Sequence, residues 1–273
     1  MKRYLPGSLA CLLFTATCTV FADPAARVIE RFEVPGIRQG VAVDAEHLYI
    51  ISNHELAKYS RTDKSGLETY ACEEGKPFIH FNAGFIHEDE LWLAHSNHPG
   101  VPMTSSVEVF SPDTLQPLRS ISLGVEYGSL TWIDFHEDNW YACFANYSKK
   151  GGTPGRGHEH TLLVKMNEAW QKLESWVFPA TVLDRFDPYS SSGGSFGPDG
   201  HLYVTGHDLP EIYVMRLPDA GSTLEYLATV EVPFHGQAWA WDRQGDHPRV
   251  VYAIDRPTRE VVVCEIPELP TTP

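Results

Sequence analysis

The chain has 273 residues, and 36 acidic against 21 basic side chains give it a formal net charge of −15. A surface of that sign repels phosphate backbones and anionic lipid, which excludes nucleic acid and a charged membrane surface as partners. With 42% hydrophobic residues the chain can bury one large β domain or two small ones.

At the N-terminus Lys2 and Arg3 precede an apolar stretch from Leu9 to Val20, and Val20-Phe21-Ala22 ends it with small residues at cleavage-determining positions. This pattern predicts a secretory signal peptide over residues 1–22 and an exported, periplasmic or extracellular product, residues 23–273. The apolar run is too short and too interrupted by threonine for stable membrane insertion, although Leu9-Ala10-Cys11 leaves a lipid anchor open. Cys72, Cys143 and Cys264 remain after cleavage. They read as small buried apolar residues, with one disulfide left open by the oxidising destination.

One order of elements then recurs: a polar residue at a turn, a short apolar strand, a turn with Asp, Glu or Gly, and a second, aromatic-rich strand. It appears as Gln39–Asp44 with Leu48–Ile51, Asn82–Ile86 with Leu91–Ala94, and Gly128–Trp132 with Trp140–Ala142. It returns as Gly193–Phe196 with Leu202–Thr205 and Gln237–Asp242 with Val251–Ile254. Third strands follow at Leu56–Tyr59, Ser106–Phe110, Thr161–Met166, Ile212–Leu217 and Glu260–Ile266. Fourth strands follow at Leu67–Cys72, Leu118–Leu123, Leu173–Phe178 and Leu224–Val232. The fifth unit lacks its last strand, and Val28–Pro35 resembles Leu227–Pro233 closely enough to supply it. The prediction is an all-β, five-bladed propeller in one domain, 23–273, closed by the N-terminal strand, because closure removes exposed sheet edges. Lys149–His160 and Pro179–Ser192 read as long loops in the third blade. No segment shows the length and period of a stable helix, and Glu168-Ala169-Trp170 reads as a turn.

In such a ring the loops entering each innermost strand, and those joining second to third strands, share one face around the channel mouth. His80, His95 and His207 fall there, with His235 nearby. The entry turns align carboxamides Gln39, Asn82 and Gln237, and Glu126 enters the third blade. Asn97, Asn146, Asp208 and Arg256 lie in the second-to-third-strand loops. We read His95, His207 and Glu126 as catalytic candidates, and Gln39, Asn82, Asn97, Asn146, Asp208, Gln237 and Arg256 as substrate-binding candidates. His80, His95, His207 and Glu126 are the candidate ligands of one divalent metal ion, since neutral imidazole with carboxylate suits a borderline cation. Such an ion could polarise a carbonyl while a spare imidazole moves the proton. Each residue also has a structural reading: strand-start carboxamides satisfy backbone groups, and a lone histidine packs.

The runs Arg38–Asp44, Ala94–Glu108, Gly128–Trp132 and Gly197–Asp208 resemble a group of exported bacterial propeller proteins commonly labelled "cycloisomerase", a label shared with propeller-type muconate-lactonising and carboxymuconate cyclase-like enzymes. The resemblance implies an exported propeller acting as an isomerase. The residues themselves suit a metal-assisted lyase, isomerase or lactone hydrolase on a small carboxylated or carbohydrate-derived substrate, with a monomer expected. A non-catalytic propeller presenting its loop face to a glycan or protein is the alternative.

Overall fold

The computed structural model describes residues 24–36, 38–73 and 77–269; the expected signal peptide lies outside them. Among the described residues, strands pair into five antiparallel four-stranded sheets arranged as the blades of a ring. After the first strand, β1 (Arg27–Glu33), blade one holds β2 (Gly40–Val43), β3 (His47–Ile51), β4 (Glu55–Ser60) and β5 (Gly66–Ala71). Blade two holds β6 (His80–His87), β7 (Glu90–Ser96), β8 (Ser105–Phe110) and β9 (Pro117–Gly124). Blade three holds β10 (Ser129–His136), β11 (Asn139–Ala145), β12 (Leu162–Met166) and β13 (Lys172–Val177). Blade four holds β14 (Gly193–Phe196), β15 (Leu202–Thr205), β16 (Glu211–Arg216) and β17 (Glu225–Glu231). Blade five holds β18 (Trp239–Trp241), β19 (Val250–Asp255) and β20 (Glu260–Glu265), and β1 (Arg27–Glu33) pairs with β20 to finish it. The expected closure by the N-terminal strand is therefore present.

Burial follows strand order. The innermost strands β2, β14 and β18 are buried along their whole length, while the outermost strands are mostly exposed. Two glycines let the inner strands crowd the axis. A Cβ on Gly40 would lie 2.8 Å from that of Ala238, and one on Gly193 would lie 2.7 Å from the Gln237 carbonyl oxygen. Between blades the core is aromatic: the Trp92 and Trp140 rings are 4.4 Å apart, and Tyr203 meets Trp241 edge-on. Polar ties recur in the same gaps. Tyr203 donates to Asp199 while Arg249 bridges both, and Arg61 joins Asp242 to Tyr252.

The stretch read as a loop, Pro179–Ser192, contains a helix, α1 (Ala180–Phe186). Seven residues are too few for propensity to sustain a helix in water. Tertiary burial sustains it, with Val182 and Phe186 pressed into the core beside Phe178 and Tyr213. The serines that follow are each accounted for: Ser190 bonds Thr161, Ser191 accepts from the buried Trp132 indole, and Ser192 reaches the channel mouth. Among the described residues the three cysteines, Cys72, Cys143 and Cys264, are unpaired; Cys143 and Cys264 are buried, and burial pushes both thiols up to about 12.

Candidate functional site

A cavity of about 490 Å³ opens at the end of the channel where the innermost strands begin. Its wall has two tiers. The inner tier takes one uncharged polar side chain from each blade: Gln39, Asn82, Thr131, Ser192 and Gln237. The outer tier comes from loops farther from the axis. Asn53 and His54 lie between β3 and β4, and His98 and Pro99 between β7 and β8. Tyr147 and Lys150 follow β11, Tyr189 precedes β14, His207 follows β15 and Arg256 follows β19. His80 stands at the start of β6. Among the described residues that line the cavity there is no carboxylate, although the chain is strongly acidic.

His207 is the most directed group in the wall. Its Nδ1 lies 2.5 Å from Asp208 Oδ1, its ring stacks on Tyr189 at 4.1 Å, and its Nε2 faces Arg256 Nη1 at 3.5 Å. The carboxylate accepts at Nδ1 and the guanidinium, which can only donate, faces Nε2, so the proton is placed on Nδ1 and the Nε2 lone pair lies at the cavity wall against Arg256. His80 is held neutral. Burial, reinforced by the nearby imidazoles of His98 and His95, lowers it to about 3. His98 is lowered as well, by burial first and then by Lys150. The His80 and His98 rings lie 5.1 Å apart, and His98 meets Tyr147 edge-on.

Gln39, His80, Asn82, His207, Gln237 and Arg256 are thus brought to one cavity from all five blades except the third. Asp208 is exposed and reaches the site through His207. Four expected residues lie elsewhere. Glu126 sits exposed on the turn before β10. Asn97 staples its own loop, donating to the Pro102 carbonyl and accepting from the Thr104 N–H. Asn146 is buried and donates to the Tyr127 and His160 carbonyls.

His95 is the instructive case. Successive side chains on a strand point to opposite faces. His80 and Asn82 therefore face the cavity, while Phe81 and its cross-strand partner His95 turn into the sheet-packing layer, their rings 5.7 Å apart. The Ile79 N–H donates to His95 Nε2, so Nδ1 carries the proton and donates to Ser106 Oγ. Ser106 in turn donates to Glu108, which also accepts from Ser120. Both ring nitrogens are spent on structure, and burial lowers this imidazole to about 4. The candidate metal set does not fit: His95 and Glu126 are turned away from His80 and His207, and among the described residues no three His, Cys, Asp or Glu converge.

Thr131, Ser192, Asn53, Tyr147, Tyr189 and Lys150 were not singled out from sequence. For Thr131 and Ser192 a signal existed, since they occupy the strand-entry position that carries Gln39, Asn82 and Gln237 in other blades. For Tyr189 none did, because α1 and the following turn deliver it.

No protein-family model and no curated protein matches this chain. Solved structures do. Glutaminyl cyclase of Myxococcus xanthus aligns over 90% of this chain and 100% of its own, at a TM-score of 0.58 and 9% identity. A luciferin-regenerating enzyme aligns over 91% and 79%, at 0.51 and 12% identity. A gluconolactonase of Xanthomonas campestris aligns over 83% and 71%, at 0.50 and 11% identity. The likeness is one of fold. These neighbours are propeller enzymes, and none of the three bears the cycloisomerase label.

Proposed function

We propose that this protein is an exported enzyme that transfers a proton on a small molecule held in the central cavity. The observation that carries the reading is the His207 imidazole, fixed by Asp208 at Nδ1, with Nε2 at the cavity wall where it accepts a long 3.5 Å contact from Arg256 that a substrate can replace. A base so placed can take a proton from the carbon next to a carbonyl, or from a water attacking a lactone. In either case the displaced electron pair ends on the carbonyl oxygen, and Arg256 or Lys150 offsets that charge. Neutral His80 serves as a hydrogen-bond donor or acceptor across the working pH range. These steps belong to a lyase, an isomerase or a lactone hydrolase, and no step is assigned to a metal.

The test is a turnover screen of lactones and unsaturated or hydroxy acids with wild type, His207→Ala and Asp208→Asn. The expected result is that His207→Ala removes any activity found and that Asp208→Asn lowers kcat more than KM. Turnover unaffected by His207→Ala would overturn the proposal. Ligand binding without turnover anywhere in the screen would favour the binding-propeller alternative.

A further inference from the structure

We infer that the cavity is built for a small polyhydroxy carboxylic acid, a sugar acid, with its carboxylate on Arg256 and Lys150 and its hydroxyl-bearing body in the inner tier. This rests on the reading of the cavity as the reacting site, and it adds the class of molecule.

The first argument is the state of the two cations. Eight other arginines (Arg27, Arg31, Arg61, Arg119, Arg185, Arg216, Arg243 and Arg249) form an ion pair with a carboxylate. Arg256 and Lys150 pair with none among the described residues, and both point into a wall that contains no acid. Six other described cations (Arg38, Lys58, Lys149, Arg156, Lys172 and Arg259) also lack an ion pair, but none of them lines this cavity, and a concave wall with two unpaired cations and no acid presents a seat for an anion.

The second argument is the chemistry beneath them. The inner tier holds no charge, so a second carboxylate driven down the axis would be desolvated without a partner. An alkyl body would strand the polar groups instead. Asn82 spends both amide hydrogens on Ser96 and the Leu130 carbonyl, so what it offers is its carbonyl oxygen. Gln39 donates to Asn53 Oδ1, leaving the Gln39 oxygen as an acceptor and the Asn53 nitrogen as a donor. Thr131 donates its hydroxyl hydrogen to the Cys143 carbonyl and offers an acceptor, while the Ser192 hydroxyl can do both. A mixed ring of donors and acceptors is matched by groups that also donate and accept, and hydroxyls are the simplest of these. A volume near 490 Å³ accommodates a substituted six-membered ring.

The experiment is calorimetric titration of the full mature protein with D-glucuronate, D-galacturonate and D-gluconate, with D-glucose and acetate as the uncharged and hydroxyl-free controls. At least one acid should bind tenfold or more tightly than either control. Arg256→Gln should cost that acid at least tenfold and leave glucose within about twofold. Both variants Arg256→Gln and Lys150→Gln change exposed side chains, and an unchanged thermal midpoint confirms that they are folded. Glucose binding as well as the acids, acetate binding as well as the acids, no effect of Arg256→Gln, or no binding by any of the three acids would each overturn the inference. Should the inference fail while His207→Ala abolishes turnover of some other compound, the proton-transfer reading stands without it.

Discussion

At one end of the central channel the five innermost strands open into a cavity of about 490 Å³; at the other they close on a void of about 40 Å³. The closed end is sealed by charge. Arg243, just past β18, donates to Asp134 at 2.7 Å and Ser195 at 3.0 Å. Asp134 also accepts from the Phe196 N–H, and the guanidinium lies over the Phe85 ring. Gln244 next to it accepts from the Ala45 N–H, so two consecutive residues touch every blade. The cavity wall at the open end has unpaired cations and no acid, Asp208 standing behind His207. The difference teaches what separates a seal from a site on one scaffold. Where each polar group finds its partner inside the protein the channel is structure; where it does not, the partner must come from outside.

Removing Asp134 tests the sealed end most severely. Its side chain is 2% exposed, and Asp134→Ala leaves Arg243 and a buried N–H unpaired, so urea unfolding should show a loss of about 3 kcal/mol. An unchanged midpoint would show that the seal is ornamental. At the open end the expectation inverts: His207→Ala should lower turnover by about 100-fold or more and shift stability by less than about 0.5 kcal/mol. His95→Ala should resemble Asp134→Ala in kind, costing about 2 kcal/mol by leaving the Ile79 N–H and Ser106 unsatisfied, with turnover retained; lost turnover at full stability would return His95 to the site.

Acid sharpens the same contrast. His95 stays neutral in the fold down to about 4 against an ordinary 6.5, because burial disfavours its charge. On acidification the unfolded chain takes the proton first. Its contribution is therefore complete above pH 6.5 and is lost as pH falls toward 4, at up to about 1.4 kcal/mol per pH unit. His95→Gln should flatten that part of the stability profile relative to wild type, and parallel curves would contradict the assignment. The smallest effect belongs to Glu126→Gln, which should leave both turnover and stability within about 0.5 kcal/mol of wild type, since the residue lies exposed on the turn before β10.

The blades were legible because each repeats the same alternation of apolar and polar residues between turn signals, and the closing strand because Val28–Pro35 resembles an outer strand. The helix α1 was not, since its seven residues fold only against Phe178 and Tyr213. Within the site, Gln39, Asn82 and Gln237 stood out because strand entry fixes them at the axis whatever the loops do. His95 was misplaced by the parity of one strand position: it lies at the right end of β7 but turns to the other face.

The amino-acid sequence by itself determined the number of blades, the closure of the ring and the entry positions around the channel, since these depend on local periodicity and on a repeat visible in one dimension. Only the tertiary structure decided which side chains share the cavity. That outcome depends on which face of a strand each residue takes, on loops such as the one carrying Lys150, and on whether a charged group meets its partner within the protein, as Arg243 does, or faces the cavity without one, as Arg256 does.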